Sequence, residues 1–586
     1  MQTPSITNSD LKPWHFQVSM PQPATHLLHI RFTVDNWQAE FLDVHLPVWS
    51  PGSYLVREYA KHLQEFTAQD DRGKPLAWQK ISKNHWQIQR HLESESIQIS
   101  YKIFANELTV RTNHVDSTHS YFNGGATFMF VPQHEQHPLT VEIELPKPEW
   151  AIATALPAVE GKPNTFYSSN FDTLVDSPFE IGIHTRHEFT VLGKPHAFVI
   201  WGEGNHDSKR IVQDTKTLIE TEAEIFGGLP YDRYLFLLHL SSGGFGGLEH
   251  KNCCTLNFNR FGFRKLDNYL RFVNLVAHEF FHTWNVKRLR PKALETFDYD
   301  RENYTPSLWF SEGTTSYYDQ LVPLRAKIYD SKHFLKLLGD SITRLQTTYG
   351  RHVQSLHESS LDTWIKLYRP EANSPNTQIS YYLKGELVSM LLDLLIRDKT
   401  NNQRSLDTVM QIMWQRFGKS EIGFLESELH EAIETVAGTN LDGFWQSYLY
   451  GTKELDYNFY FEPFGLEVQA FATTEQLPYL GLTLKGTNGV QSIKTVEANS
   501  PAYFAGISPG DELLAMNGIR VTAENLSDRL MDFTAGDRIE LTLFQQDRLV
   551  HTQLTLQPTV GDRCVLTPLS HPSSSQMENL KAWLGG

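Results

Sequence analysis

Val276-Ala277-His278-Glu279-Phe280-Phe281-His282-Thr283-Trp284 holds the one HExxH match in the chain, and its reading decides how the neighbouring sequence folds. On a helix of 3.6 residues per turn, two histidines four apart share a face and reach one ion. Glu279 sits about 60° round from His282, where a carboxylate can take a proton from water at a metal. Given 25 His and 68 acidic residues, about 0.1 such matches are expected by chance. Tyr269, Phe272, Val273, Val276 and Phe280 recur at helical spacing, which predicts a buried helix over about Asn268 to Trp284 with Asp267 as N-cap.

A chain of 586 residues is too long for one core and should form several domains. Hydrophobic and charged fractions of 40% and 20% are globular values. A net charge of −16 argues against nucleic acid and anionic membranes as partners. Met1 to Phe16 lacks the basic and apolar runs of a signal peptide, and no stretch reads as a membrane span. Three cysteines, two of them adjacent at Cys253 and Cys254, suit a reducing compartment, so a cytoplasmic location is expected.

Apolar and polar residues alternate over His29 to Val34, Phe41 to Leu46, Ile97 to Phe104 and Leu139 to Leu145, predicting an N-terminal β-sandwich-like domain over residues 1–170. Trp49 to Tyr54 and Thr112 to Gly125 read as loops; Asp116 or His119 of the second could reach a neighbouring site. Thr215 to Phe226 reads as a helix, Tyr234 to Leu240 as a buried strand, and helical spacing dominates from Arg264 to about Leu455. Residues 171–456 are assigned to one domain, the body around the metal. Short strands return over 457–565, and the serine- and proline-containing tail, 566–586, reads as loose. The expected fold class is therefore multidomain α+β.

A catalytic zinc takes three protein ligands and keeps one open position. Glu312, in Trp309-Phe310-Ser311-Glu312-Gly313-Thr314, is the candidate third ligand, since a carboxylate amid apolar residues needs a cation; Asp319 is the alternative. Gly243 to His250 follows the buried strand. Its glycines, Gly246 and Gly247 among them, allow a substrate backbone to approach, and Glu249 can hold a cationic amine. Tyr381 and Tyr382 begin a later helix. A tyrosine hydroxyl there can donate to an oxyanion, with Tyr382 preferred and Tyr381 open.

Together, GGLEH, HEFFHTWNVKRLRP, LWFSEGTTSYY and SYYLKGELV resemble the glycyl aminopeptidase family of gluzincin zinc metallopeptidases. The resemblance implies a thermolysin-like catalytic domain, one Zn2+ held by His278, His282 and Glu312, Glu279 as general base, and small N-terminal residues as substrates. More distantly, Gly246, Gly247, Leu248 and Glu249 fall on the amine-binding GxMEN segment of alanyl-type aminopeptidases, and Tyr382, Lys384 and Gly385 on their YEKG segment. His250 and Leu383 depart from those patterns. Asn285, Lys287, Arg288 and Arg290 also belong to the family-like run and suggest support around the metal.

Val496 to Gly518 carries SPAxxAGxxPGDxLLxxNG, which resembles a PDZ domain, with Leu480, Gly481 and Leu482 in the carboxylate-binding loop. The expected activity is zinc-dependent removal of N-terminal residues from peptides. A zinc endopeptidase with PDZ capture of substrate and a catalytically inactive PDZ adaptor are the rivals.

Overall fold

The computed structural model describes residues 12–474 and 477–585. Most of the Met1 to Phe16 segment read for a leader, residues 1–11, lies outside them. The chain divides into two compact units, Met1–Tyr304 with Met413–Leu425, and Thr305–Ile412 with Glu426–Gly586. Among the described residues, no helix is long and apolar enough to cross a membrane.

The first unit begins with β structure. A six-stranded sheet runs in the order Thr165–Ser168, Leu139–Glu144, Trp14–Ser19, Leu27–Asp35, Ser96–Phe104 and Leu63–Asp70. Its inward residues, including Phe16, Ile30, Phe32, Ile99 and Val141, are buried, as strand alternation requires. Trp14–Ser19 is a strand that the sequence reading did not assign, paired in parallel with Leu139–Glu144. Thr112 to Gly125, expected as a loop, instead contains the hairpin His114–Val115 and His119–Phe122, part of a four-stranded sheet with Ala151–Ala153 and Phe179–Gly182. Its polar composition misled: His119 and Ser120 are strand residues that are buried.

A five-stranded sheet follows, ordered Thr185–Val191, Lys194–Trp201, Tyr234–Ser241, Cys253–Asn259 and Gly246–Glu249. Tyr234–Ser241 lies parallel to both of its neighbours and is almost wholly buried, which explains its unbroken apolar sequence. Gly246–Glu249 pairs antiparallel with Cys253–Asn259 at the sheet edge. The glycine run thus ends in an edge strand. Against this sheet pack Ser208–Phe226, seven residues longer at its start than the sequence suggested and capped by Asp207, and the HExxH helix, Leu266–Phe281. Asp267 is not the N-cap of the latter; Lys265 holds that position without a side-chain bond, and Asp267 falls in the first turn, where its charge favours the helix dipole.

The second unit is helical, then β. Trp309–Thr314 forms one turn of π-helix that runs into Thr315–Arg325, and both pack along Tyr381–Lys399. Gly313 and Gly385 meet backbone to backbone; a Cβ on either would overlap the other segment. A sheet of Leu482–Thr487, Val490–Val496, Glu512–Met516, Arg538–Gln545 and Arg548–Thr555 has its own apolar core, with Ile493, Leu513, Met516 and Leu541. Arg563–Pro568 then pairs with Leu466–Phe471, and Cys564 accepts from and donates to Thr343 on the Ser331–Gln346 helix.

The expected loose tail is a helix, Ser574–Leu584, with a capping box between Ser573 and Gln576. It inserts Trp583, 1% exposed, beside Phe334, Phe461 and Phe464, with its indole donating to the Tyr317 hydroxyl at 2.9 Å. Trp583→Ala should therefore cost about 3–5 kcal/mol of stability, the usual loss for a fully buried Trp. Urea unfolding monitored by circular dichroism measures it; a loss below about 1 kcal/mol would mean that the indole contributes little to this core.

Candidate functional site

In the first unit, the last turn of the Leu266–Phe281 helix presents His278, with His282 at its C-cap. Their rings lie 4.7 Å apart, edge to face at 87°. His282 Nδ1 is 2.6 Å from the carbonyl oxygen of Asn285. A carbonyl only accepts, so Nδ1 carries the proton and Nε2 keeps its lone pair. That tautomer is the one a metal-ligating imidazole needs.

Around this turn the sequence run Asn285 to Leu289 is buried, Arg290 is half-buried, and the basic residues are bonded. Arg288 donates to the carbonyls of Thr283 and Lys251, each at 2.8 Å, and to Asn252 Oδ1, tying the chain after the helix to the Gly246–Asn259 hairpin. Lys287 pairs with Asp176 at 2.6 Å, and Arg290 donates to the Lys287 carbonyl. Burial pushes the Asp176 carboxyl up, but Lys287 and His250 override it and hold it well below the usual range. The basic residues thus support the helix end from inside.

Glu249, Glu279 and His282 offer ligand atoms within 4.8 Å of one another, and all three are buried. Gly247 backs onto Glu279 and Gly52 onto Glu249 so closely that a Cβ on either glycine would overlap the carboxylate. Gly52, at φ +84, belongs to the Trp49 to Tyr54 loop. That loop is held by Val48 N–H to the Tyr299 carbonyl and by the Trp49 indole to the Asp298 carbonyl. Arg111 donates to the Gly247 carbonyl at 3.2 Å and steadies the edge strand. Glu249 Oε1 has no hydrogen-bond partner among the described residues. Two buried carboxylates this close repel unless a cation or a proton lies between them. An imidazole whose Nε2 keeps its lone pair, beside two buried carboxylates, forms a donor set that fits zinc.

In the second unit, Glu312 is buried at 2% exposure on the π-helical turn, a distortion that often marks functional positions. Tyr382, half-buried at the start of its helix, has its phenol pushed well above the ordinary value by burial, the Glu312 carboxylate and Tyr368. Its hydroxyl lies 3.0 Å from that of Tyr368, a neighbour that sequence reasoning missed and that no local pattern marks. Tyr381 is fully buried and stacks on Tyr382. Asp319 lies further along, half-buried in the field of Glu386. Asp116 and His119 do not join the Glu249, Glu279 and His282 group; they cluster with His114 elsewhere in the first unit.

Also in the second unit, Leu480, Gly481 and Leu482 line a 670 Å³ groove with Leu526 and Leu530. Gly481, at φ +80, faces Ser500 with no room for a side chain. Asn376 of the helical region donates to the Val496 carbonyl and accepts from the Ala498 N–H, fixing the sheet module beside it.

If the Gly247 contact sets Glu279, Gly247→Ala should leave the fold intact yet shift the carboxylate and lower kcat/KM by about 10²-fold, the effect of an ångström-scale misplacement. Steady-state peptidase kinetics beside a circular dichroism spectrum measure this; unchanged kinetics would refute the contact's role.

The model of the Peptidase M61 N-terminal domain matches residues 15–183, and that of M61 glycyl aminopeptidase matches residues 271–388. No curated protein sequence matches the chain. Among solved structures, the aminopeptidase N family protein of Idiomarina loihiensis is 32% identical, covers 97% of this chain and 100% of its own, and superimposes with a TM-score of 0.91. The M1 zinc metallopeptidase of Deinococcus radiodurans is 14% identical, with 76% of this chain and 95% of its own covered and a TM-score of 0.49. Yeast LTA4 hydrolase in complex with bestatin is 12% identical, with 75% and 68% covered and a TM-score of 0.46. By its likeness to the Idiomarina protein over nearly all of both chains, this chain belongs to the aminopeptidase N family, with M61 peptidase models over its N-terminal β region and over the stretch from the HExxH helix to Tyr382.

Proposed function

We propose that the chain is a zinc-dependent aminopeptidase that releases small N-terminal residues from peptides, with one catalytic Zn2+ held by His278, His282 and Glu312. The observation that carries this reading is the buried Glu249 carboxylate at the end of an edge strand, beside Glu279 and His282. One M61 model spans both the HExxH helix and Glu312 with Tyr382, which favours their service in one site. Zinc, when bound, supplies a Lewis acid that polarises the scissile carbonyl and makes water acidic enough to attack at neutral pH.

The chain's own groups carry the rest. The substrate backbone lies along the free edge of Gly246–Glu249, where the absence of side chains at Gly246 and Gly247 permits close approach. Glu249 holds the α-ammonium by a charge-assisted bond and so selects the first peptide bond. The Trp49 to Tyr54 loop, seated on Glu249 through Gly52, closes the strand at that end and favours a free amine over a continuing chain. Glu279 takes the proton of the attacking water and returns it to the leaving amine. Tyr382, kept protonated in its buried setting, donates to the developing oxyanion. The family resemblance favours glycine or alanine at the first position.

The C-terminal sheet module is read as a PDZ-type domain whose groove at Leu480, Gly481 and Leu482 takes a peptide C-terminus as an added strand. Its Asn376 tether equally suits a fixed architectural role.

Glu279→Gln should retain zinc and lose turnover by about 10³-fold or more, while a chelator abolishes activity and zinc restores it. Metal analysis and stopped assays decide; substantial activity in that variant removes Glu279 as base. Free peptides should be cleaved from the first residue while N-acetylated ones resist, and Glu249→Gln should raise KM for the free peptides. Equal internal cleavage of acetylated peptides would favour the endopeptidase reading.

A further inference from the structure

We infer that His119, Glu180 and His239 form a second divalent-metal site, suited to zinc and separate from the HExxH helix. His119 lies on His119–Phe122 and Glu180 on Phe179–Gly182, adjacent strands of the four-stranded sheet. His239 lies on Tyr234–Ser241 of the five-stranded sheet. The three offer ligand atoms that all lie within 4.8 Å of one another, and each side chain is between 0% and 1% exposed.

An ion pair explains only part of this cluster. His239 Nε2 is 2.8 Å from Glu180 Oε2, which accounts for one atom on each side chain. His239 Nδ1, Glu180 Oε1 and both ring nitrogens of His119 have no hydrogen-bond partner among the described residues. Protein interiors rarely leave polar atoms unbonded, and three buried side chains from three strands, each with such an atom and with ligand atoms within 4.8 Å of one another, call for a shared partner. Two imidazoles and a carboxylate are the donor set of a three-ligand zinc centre, one atom from each, with a fourth position open.

The cluster is also rigidly built. The His119 ring stacks on Trp201 with centroids 3.6 Å apart. Gly182 stands against it, where a Cβ would come within 2.7 Å of the His119 Cβ. A second group, His114, Asp116 and His119, shares His119 and is half-buried at its other two members. The bound ion would cross-link the two sheets and stabilise the first unit by metal-linked folding.

Metal analysis by mass spectrometry after dialysis against zinc tests this independently of the proposed catalytic site. The wild-type chain should hold about two zinc and His278→Ala/His282→Ala about one. That remaining equivalent should disappear in the same background with His119→Ala or His239→Gln added, circular dichroism confirming the fold. Adding zinc should raise the Tm of the His278→Ala/His282→Ala protein. Absence of zinc from that protein, or its retention after both His119 and His239 are replaced, overturns the inference. Failure of the catalytic reading alone would instead leave the wild type and the His278→Ala/His282→Ala protein with the same single equivalent.

Discussion

Two carboxylates, Glu249 and Glu279, are buried beside His282 with ligand atoms within 4.8 Å of one another, and two acids so close call for a cation or a proton between them. A cation would meet that need, and the surrounding residues hold the donor set in place. Asn285 fixes the His282 tautomer, Arg288 and Lys287 tie down the chain that follows, and two glycines make room for the acids. Each contact limits the freedom of a charged group that would otherwise turn toward water.

The second unit keeps Glu312 and Tyr382 in fixed positions by different means. Gly313 and Gly385 let two helical segments touch at their backbones, so the π-helical turn that carries Glu312 lies against the start of the helix that carries Tyr382. Trp583, returned from the far end of the chain, donates to Tyr317 one turn beyond. The phenol of Tyr317 in turn donates to Asp393, which binds Arg397. The C-terminal helix therefore buttresses the helices behind Glu312.

Legibility followed the range of the forces involved. The HExxH helix could be read because Tyr269, Phe272, Val276 and Phe280 mark one face, and i, i+4 spacing brings His278 and His282 together without any tertiary information. Its start could not, because an extended Lys265 outcompeted the better capping residue. The hairpin at His119 was hidden by polar residues, His119 and Ser120, whose strand partners Gly182 and Ile181 lie some sixty residues on, a pattern that resembles a loop until those strands are known. The terminal helix was readable in principle: Ser573 and Gln576 have capping-box spacing, and Trp583 is a poor residue to leave in water. The seats of Gly52 on Glu249 and of Tyr368 on Tyr382 depend on residues far apart or on loop paths, and nothing local announces them. Contacts of that kind separate a motif from a working site.

Anomalous diffraction at the zinc absorption edge, from crystals of the zinc-loaded chain, tests the central claim most directly. A peak within about 2.0–2.2 Å of a ring nitrogen of His278, Nε2 of His282 and a carboxylate oxygen of Glu312 is the predicted result. No peak at the HExxH helix, or one that Glu312 does not reach, would contradict it.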